Sequence, residues 1–217
     1  MSEGHDDWWY GSSKRIAGRA TAVAASLAVA TAGCGGSGST VLSTGDLPAI
    51  VGQPPKAEGG RGDWTPWEQF ETKISRKDLG QSPSTKKLLK QGFVAGEARA
   101  WKDYVNNTGI SAFLFEDAAG ARSGLDTLKP LLVDSFKGDG TVEITIDEID
   151  AGKLGDASTG WHVKGGDEGF YYLWHRDNVV YVAFMQAIES DLTEPELVSD
   201  EARIYVNEVD RRADAVS

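Results

Sequence analysis

Cysteine is nearly absent from this chain, whose 217 residues include only Cys34. A disulfide framework, and every metal or cluster site that needs several cysteines, is therefore excluded. Basic residues are also few, with 22 Lys and Arg against 33 Asp and Glu and a net charge of -11. Because binding to phosphate backbones needs a basic face, no nucleic acid is expected as a partner. The 40% of hydrophobic residues is ordinary for a globular domain.

A hydrophobic run long enough to cross a membrane is lacking near the N-terminus. The apolar stretch Ala20–Ala32 has 13 residues, fewer than the ~20 that a spanning helix needs. Lys14, Arg15 and Arg19 precede this stretch, and small residues end it, as is typical of a cleaved secretory signal. The sequence therefore predicts export, with residues 1–33 as the signal peptide.

The residues at the end of this signal point to lipid attachment. They read Thr31-Ala32-Gly33-Cys34 and are followed by Gly35-Gly36-Ser37. This pattern resembles the lipobox of bacterial lipoproteins, in which the cysteine is lipidated and becomes the first mature residue. The resemblance implies that Cys34 anchors the protein to the extracytoplasmic side of the cell membrane. A plain secretory signal with an incidental cysteine is the alternative.

The mature chain is predicted to consist of a tether and one domain. Residues 34–62 are rich in Gly, Ser, Thr and Pro, which is linker composition, although Leu47–Val51 is apolar enough to dock as an edge strand. Residues 63–217 form the single domain. Removal of residues 1–33 takes away three bases and three acids, so the charge stays at -11. An acidic body of this kind is expected to be repelled by anionic headgroups.

Hydrophobic periodicity predicts an α+β domain. A short helix, a strand pair, a helix starting at Asp117 and ending or kinking at Pro130, several strands and a final helix follow one another, in two loosely repeated halves. This order is typical of a mostly antiparallel sheet with helices packed on one face. The strand candidates are 93–101, 110–116, 142–149, 159–164, 170–176 and 179–188.

Three stretches of the domain carry a second resemblance. They are Gly92–Trp101, Phe115–Arg122 and Arg176–Val180. They are similar to a group of actinobacterial secreted lipoproteins without an assigned activity. The strand order is also similar to the Mog1/PsbP-like fold of some mycobacterial lipoproteins, a likeness of architecture that implies no function.

Strand alternation separates two faces of the sheet. A hairpin at Asp177-Asn178 places Trp161, Leu173, Val182 and Phe184 on the core face. The other face is aromatic but also carries charge, and it is either covered by the N-terminal segment or open as a groove. The residues predicted to bind a ligand in such a groove are His162, Tyr172, Trp174 and Tyr181.

No catalytic motif accompanies this face. Ser123 lies in a predicted helix and lacks the spacing of a nucleophile elbow. His162 and His175 fall on opposite faces, and Asp147, Glu148 and Asp150 are interpreted as a solvated strand end, so no metal and no cofactor are predicted. We therefore expect a non-catalytic module of the cell envelope that binds a small apolar ligand, a lipid or an envelope protein. The alternative is an extracytoplasmic hydrolase that uses a carboxylate with His162.

Overall fold

A computed structural model describes most of the predicted domain and part of the predicted tether. Cys34 and the predicted signal peptide, residues 1–33, lie outside the described residues. The described ranges are 41–56, 63–67, 70–80, 83, 85–103, 106–137, 142–165, 168–187 and 195–217.

The centre of the fold is one eight-stranded sheet in which every pairing is antiparallel. Its order is β1-β3-β4-β8-β7-β6-β5, and β2 pairs with β3 beside β1. The predicted α+β class with a mostly antiparallel sheet is therefore confirmed. The strands are β1 Thr65–Pro66, β2 Thr72–Ile74, β3 Phe93–Lys102, β4 Asn106–Phe115, β5 Thr145–Ile149, β6 Ala157–Lys164, β7 Gly169–Arg176 and β8 Val179–Ala187.

Helices cover both faces of this sheet, although the sequence placed them on one. The two long helices, α4 (Ala118–Phe136) and α5 (Pro195–Val216), contact β7 and β8 from opposite sides. Each helix packs on a separate hydrophobic core. Asp117 starts α4 by accepting a 2.7 Å hydrogen bond from the Gly120 amide, and the helix continues through Pro130. The helices are α1 Leu47–Ile50, α2 Arg76–Leu79, α3 Lys86–Lys90, α4 Ala118–Phe136 and α5 Pro195–Val216.

Strand register agrees with the face assignment made from alternation. Leu173 pairs with Val182, and Trp174 pairs with Tyr181 on the opposite face. Asp177 turns the hairpin between β7 and β8 with a φ of 50°, a left-handed conformation that Asp tolerates better than most residues. The core under α4 therefore contains Leu173 and Val182, and the core under α5 contains Trp174 and Tyr181.

Part of the predicted tether belongs to the domain. Leu42, Leu47, Ile50 and Val51 are buried in the core under α5. Residues 47–50 form the short helix α1 instead of an edge strand, since Leu47 and Ile50 both point into this core. These four residues of the predicted tether therefore contribute to the folded core.

Candidate functional site

The aromatic face proposed as a groove lies inside the protein. Tyr172, Trp174 and Tyr181 are fully buried, and the rings of Trp174 and Tyr181 stack at 5.0 Å. α5 lies over them with a stripe of buried, mostly apolar side chains, and the 42–51 segment extends the same core. The stripe consists of Val198, Ala202, Tyr205, Val206, Val209 and Ala213.

Each member of this aromatic trio has one buried polar atom without a hydrogen-bond partner among the described residues. These atoms are Tyr172 Oη, Trp174 Nε1 and Tyr181 Oη. Burial, with a smaller contribution from Asp210, raises the pKa of the Tyr181 hydroxyl, which therefore stays protonated. Leaving such a group unpaired costs ~1–3 kcal/mol, so these atoms lower the stability of the core unless something binds them.

His162 lies on the same face but at its margin. It pairs in register with Phe170, and the two rings stack at 4.3 Å. Its Nε2 is 2.6 Å from Glu168 Oε1, and both side chains are partly exposed. The site residues named from the sequence thus divide into a buried aromatic trio and a marginal histidine–carboxylate pair.

This pair is the arrangement closest to catalytic geometry in the part of the chain that the structure describes. A carboxylate that bonds one ring nitrogen can orient a histidine as a general base. No described serine, threonine or cysteine is bonded to His162, and Ser123 lies on α4 as the sequence predicted. Nor do the described residues contain a group of three His, Cys, Asp or Glu that could hold a metal ion.

A shallow groove opens beside the buried aromatic core. Tyr205 and the partly exposed Ile204 of α5 form one wall, and the Pro54–Pro55 segment forms the other. Trp64, Met185 and Glu201 complete the lining. The groove is apolar with one acid, and it is open to solvent instead of enclosed.

His175 has a setting that the sequence reading missed. Strand alternation placed it only on the face opposite to His162, and the structure shows that it is 5% exposed on the α4 side of the sheet. Neither ring nitrogen makes a hydrogen bond with a described residue, and Nδ1 is 3.4 Å from Asp156 Oδ2. Burial lowers the pKa of His175, and Asp156 opposes that shift only in part. Its position two residues after Leu173 on a strand is the signal that could have placed it in the core.

Two further observations concern the acids of β5 and the described helices. Asp147 and Glu148 point to opposite faces, where they pair with Lys164 and Lys129. Among the described helices, none combines the length and the apolar character that crossing a membrane requires.

Comparisons with known proteins give no family. No protein-family model and no curated protein matches the chain. The extracellular domain of PknH from Mycobacterium tuberculosis is similar over 79% of this chain and 93% of its own, with 12% identity and a TM-score of 0.42. The Rv0999 ortholog from Mycobacterium smegmatis, an uncharacterized protein, is similar over 64% of this chain and 85% of its own, with 13% identity and a TM-score of 0.35. Neither similarity is close enough to indicate a function.

Proposed function

We propose that this protein is an extracytoplasmic lipoprotein, anchored through Cys34, whose domain is a non-catalytic binding module of the cell envelope. The observation that carries this proposal is the position of the chain's only cysteine. It follows the apolar stretch and small residues of a signal peptide and precedes Leu42, the first of the described residues to be buried, by eight residues. A lipid there leaves the whole folded core intact.

The aromatic face is filled by α5 and the 42–51 segment. A partner is therefore expected to bind at the surface of the domain and not inside it. A ligand that touches Tyr172, Trp174 and Tyr181, the residues predicted from the sequence, has to displace α5 and the 42–51 segment. The groove beside Ile204 and Trp64 needs no such rearrangement. Its lining is apolar apart from Glu201, and a partner at the surface can contact it without unfolding the core.

Fractionation of cells that express Cys34→Ala tests the anchor. The apolar stretch is too short to hold the protein as a spanning helix, so this variant should leave the membrane fraction under a high-salt wash. Ser37→Ala, three residues away, should stay with the membrane like the parent. Cys34→Ala that remains as firmly membrane-bound as the parent contradicts lipid attachment at this residue.

A hydrolase is the second candidate, and the 2.6 Å contact between His162 and Glu168 is the observation that favours it. Turnover of a panel of nitrophenyl esters tests it. The binding-module proposal predicts no turnover above the buffer rate. Turnover that is lost in both His162→Gln and Glu168→Gln, but kept in His175→Gln, establishes the enzyme instead.

A further inference from the structure

One short stretch of this acidic chain carries a net positive charge. Between Glu71 and Lys90 there are six bases and two acids, a charge of +4, while the chain as a whole carries -11. The other 197 residues therefore carry -15. We name the six bases the basic corner: Lys73, Arg76, Lys77, Lys86, Lys87 and Lys90.

The fold presents the basic corner to solvent on β2, α2 and α3. All six residues are exposed. Leu79 on α2 and Leu88 on α3 are fully buried and hold these two helices to the sheet. Arg76 also donates to the Phe93 carbonyl. Asp78 is engaged by Ser75 in a capping box at the start of α2, and no described carboxylate forms an ion pair with the basic corner. The fold therefore uses the leucines and leaves most of the cations free for another role.

The basic corner lies at the end of the sheet where the N-terminal segment enters. Leu42 exchanges two hydrogen bonds with Asn178, of 2.9 and 3.0 Å, and Asn178 also donates to the Phe115 carbonyl. Phe115 pairs with Phe93, which is the first residue of β3 and follows the short connection from α3. Neighbouring strands are about 4.8 Å apart, so Leu42 is about 10 Å from this start of β3.

Cys34 is close enough to bring this end of the domain to a membrane. Eight residues separate Cys34 from Leu42. Even fully extended, they span at most about 28 Å. A lipid on Cys34 therefore confines the end of the sheet that carries α2 and α3 to the vicinity of the headgroups.

From this placement we infer that the basic corner docks the domain on anionic lipid headgroups, with the lipid on Cys34 and the six cations acting together. The inference rests on the anchor in the proposed function. A lipid chain combined with a basic patch is a physically sufficient pair of membrane signals, and each Lys or Arg near an anionic surface contributes ~1 kcal/mol. The net negative charge of the domain as a whole keeps it away from the membrane, whereas the basic corner is attracted to the headgroups.

Acidic residues at the same end set the direction in which the domain tilts. Asp156 and Asp177 lie beside the β7–β8 hairpin, away from the basic corner, whereas Glu116 lies close to the end of α3, since its amide donates a 2.9 Å hydrogen bond to the Gly92 carbonyl. An anionic surface repels Asp156 and Asp177 and attracts the basic corner. The domain therefore leans onto α2 and α3, with the edge formed by β5 turned away.

Lysine footprinting on vesicles tests the docking. The mature chain from Cys34 is coupled through its only thiol to a maleimide lipid, on vesicles of phosphatidylcholine with or without phosphatidylglycerol. Acetylation of each lysine by a succinimidyl ester is then followed by mass spectrometry. Lys86, Lys87 and Lys90 should react about fivefold more slowly on the anionic vesicles, the factor that ~1 kcal/mol per charge gives. About 1 M salt should abolish the difference, because it shortens the screening length to ~3 Å.

Lys102, Lys137 and Lys164 supply the internal reference. All three are exposed and lie at the other end of the sheet or of α4, so their rates should not depend on the vesicle charge. Equal rates for the basic corner on the two vesicle types, or equal protection of both sets of lysines, overturn the inference.

Two variants with the same change in net charge distinguish the effect of the basic corner from the effect of net charge. Changing Lys86, Lys87 and Lys90 to Glu should remove the protection of Lys73 and Lys77, and changing Lys102, Lys137 and Lys164 to Glu should leave it. Because the tether is made chemically, this result does not depend on lipidation in the cell. Failure of the anchor appears in the fractionation of Cys34→Ala, and failure of the docking appears only here.

Discussion

Substitution of Tyr181 distinguishes most directly between a core filled by the protein itself and a hidden ligand site. Its hydroxyl is buried without a described partner, so Tyr181→Phe should leave the free energy of unfolding unchanged or raise it by ~1–2 kcal/mol. Urea denaturation measures this. Tyr171→Phe is the matched control, since Tyr171 accepts a 2.5 Å hydrogen bond from Gln186, and its loss should cost ~0.5–1.5 kcal/mol. A loss above ~1 kcal/mol in Tyr181→Phe would reveal a partner for the hydroxyl.

His175 should make stability depend on pH. Burial lowers its pKa in the folded state below the ordinary histidine value of about 6.5, so the unfolded chain binds a proton first as the pH falls. Stability is then complete above about pH 6.5 and declines below it, by no more than about 1.4 kcal/mol per pH unit. The charged groups around it are Asp156, Arg122, Asp126 and Asp177.

His175→Phe removes this proton site while keeping a buried ring. Urea denaturation of both proteins between pH 8 and pH 5 should show a smaller decline in the variant. Parallel pH profiles would mean that His175 is already protonated, or equally accessible, in the folded state.

Individual side-chain partners were beyond what the sequence could predict. Alternation placed His162 and His175 on opposite faces correctly, because side chains on a strand alternate strictly. The contact between His162 and Glu168 depends on a turn between two strands, and the isolation of His175 depends on how α4 covers its strand. Neither is encoded in a periodic pattern.

At the level of elements, β7 is the strand whose place in the fold is most open to a test. Leu173 is fully buried between two neighbouring strands and under α4. Leu173→Ala should therefore lower the free energy of unfolding by ~2–5 kcal/mol. Ile204→Ala on the exposed side of α5 should change it by less than ~0.5 kcal/mol. A loss below ~1 kcal/mol in Leu173→Ala would place this strand outside the core.

The side chain of Asn178 joins the start of the 42–51 segment to the sheet. Asn178 is 2% exposed and joins Leu42 to Phe115 through three hydrogen bonds. Asn178→Ala should raise amide hydrogen exchange at Leu42 and through α1 by at least about tenfold, because losing these bonds costs more than ~1.4 kcal/mol. Unchanged exchange in α1 would mean that its leucine and isoleucine hold the segment without Asn178.

Elements were more predictable than their arrangement. The β7–β8 hairpin followed from its turn residues and the alternation beside it, whereas the stripe on α5 identified a buried helix face without saying which sheet face it covers. Gly, Ser and Pro around Leu47–Val51 gave that segment the composition of a linker. The burial of its three apolar side chains, Leu47, Ile50 and Val51, outweighs that composition in the fold.

On the scale of the whole molecule, two features support the proposal that the domain lies at a membrane. Leu42, the first of the described residues to be buried, comes eight residues after Cys34, and the six bases of the basic corner lie at the end of the sheet where the chain enters. Composition alone indicated only an acidic body. The charge asymmetry becomes visible when the exposed lysines of α2 and α3 are placed beside the entry point of the N-terminal segment.

The mass of the protein purified from the membrane of its own cells tests the anchor most directly. Our account predicts a mature chain that begins at Cys34, heavier than residues 34–217 by a thioether-linked diacylglycerol, with or without a third acyl chain on the new amino terminus. Digestion should assign the added mass to the peptide that contains Cys34. A mature chain that begins at another residue, or one that carries an unmodified Cys34, would contradict the account.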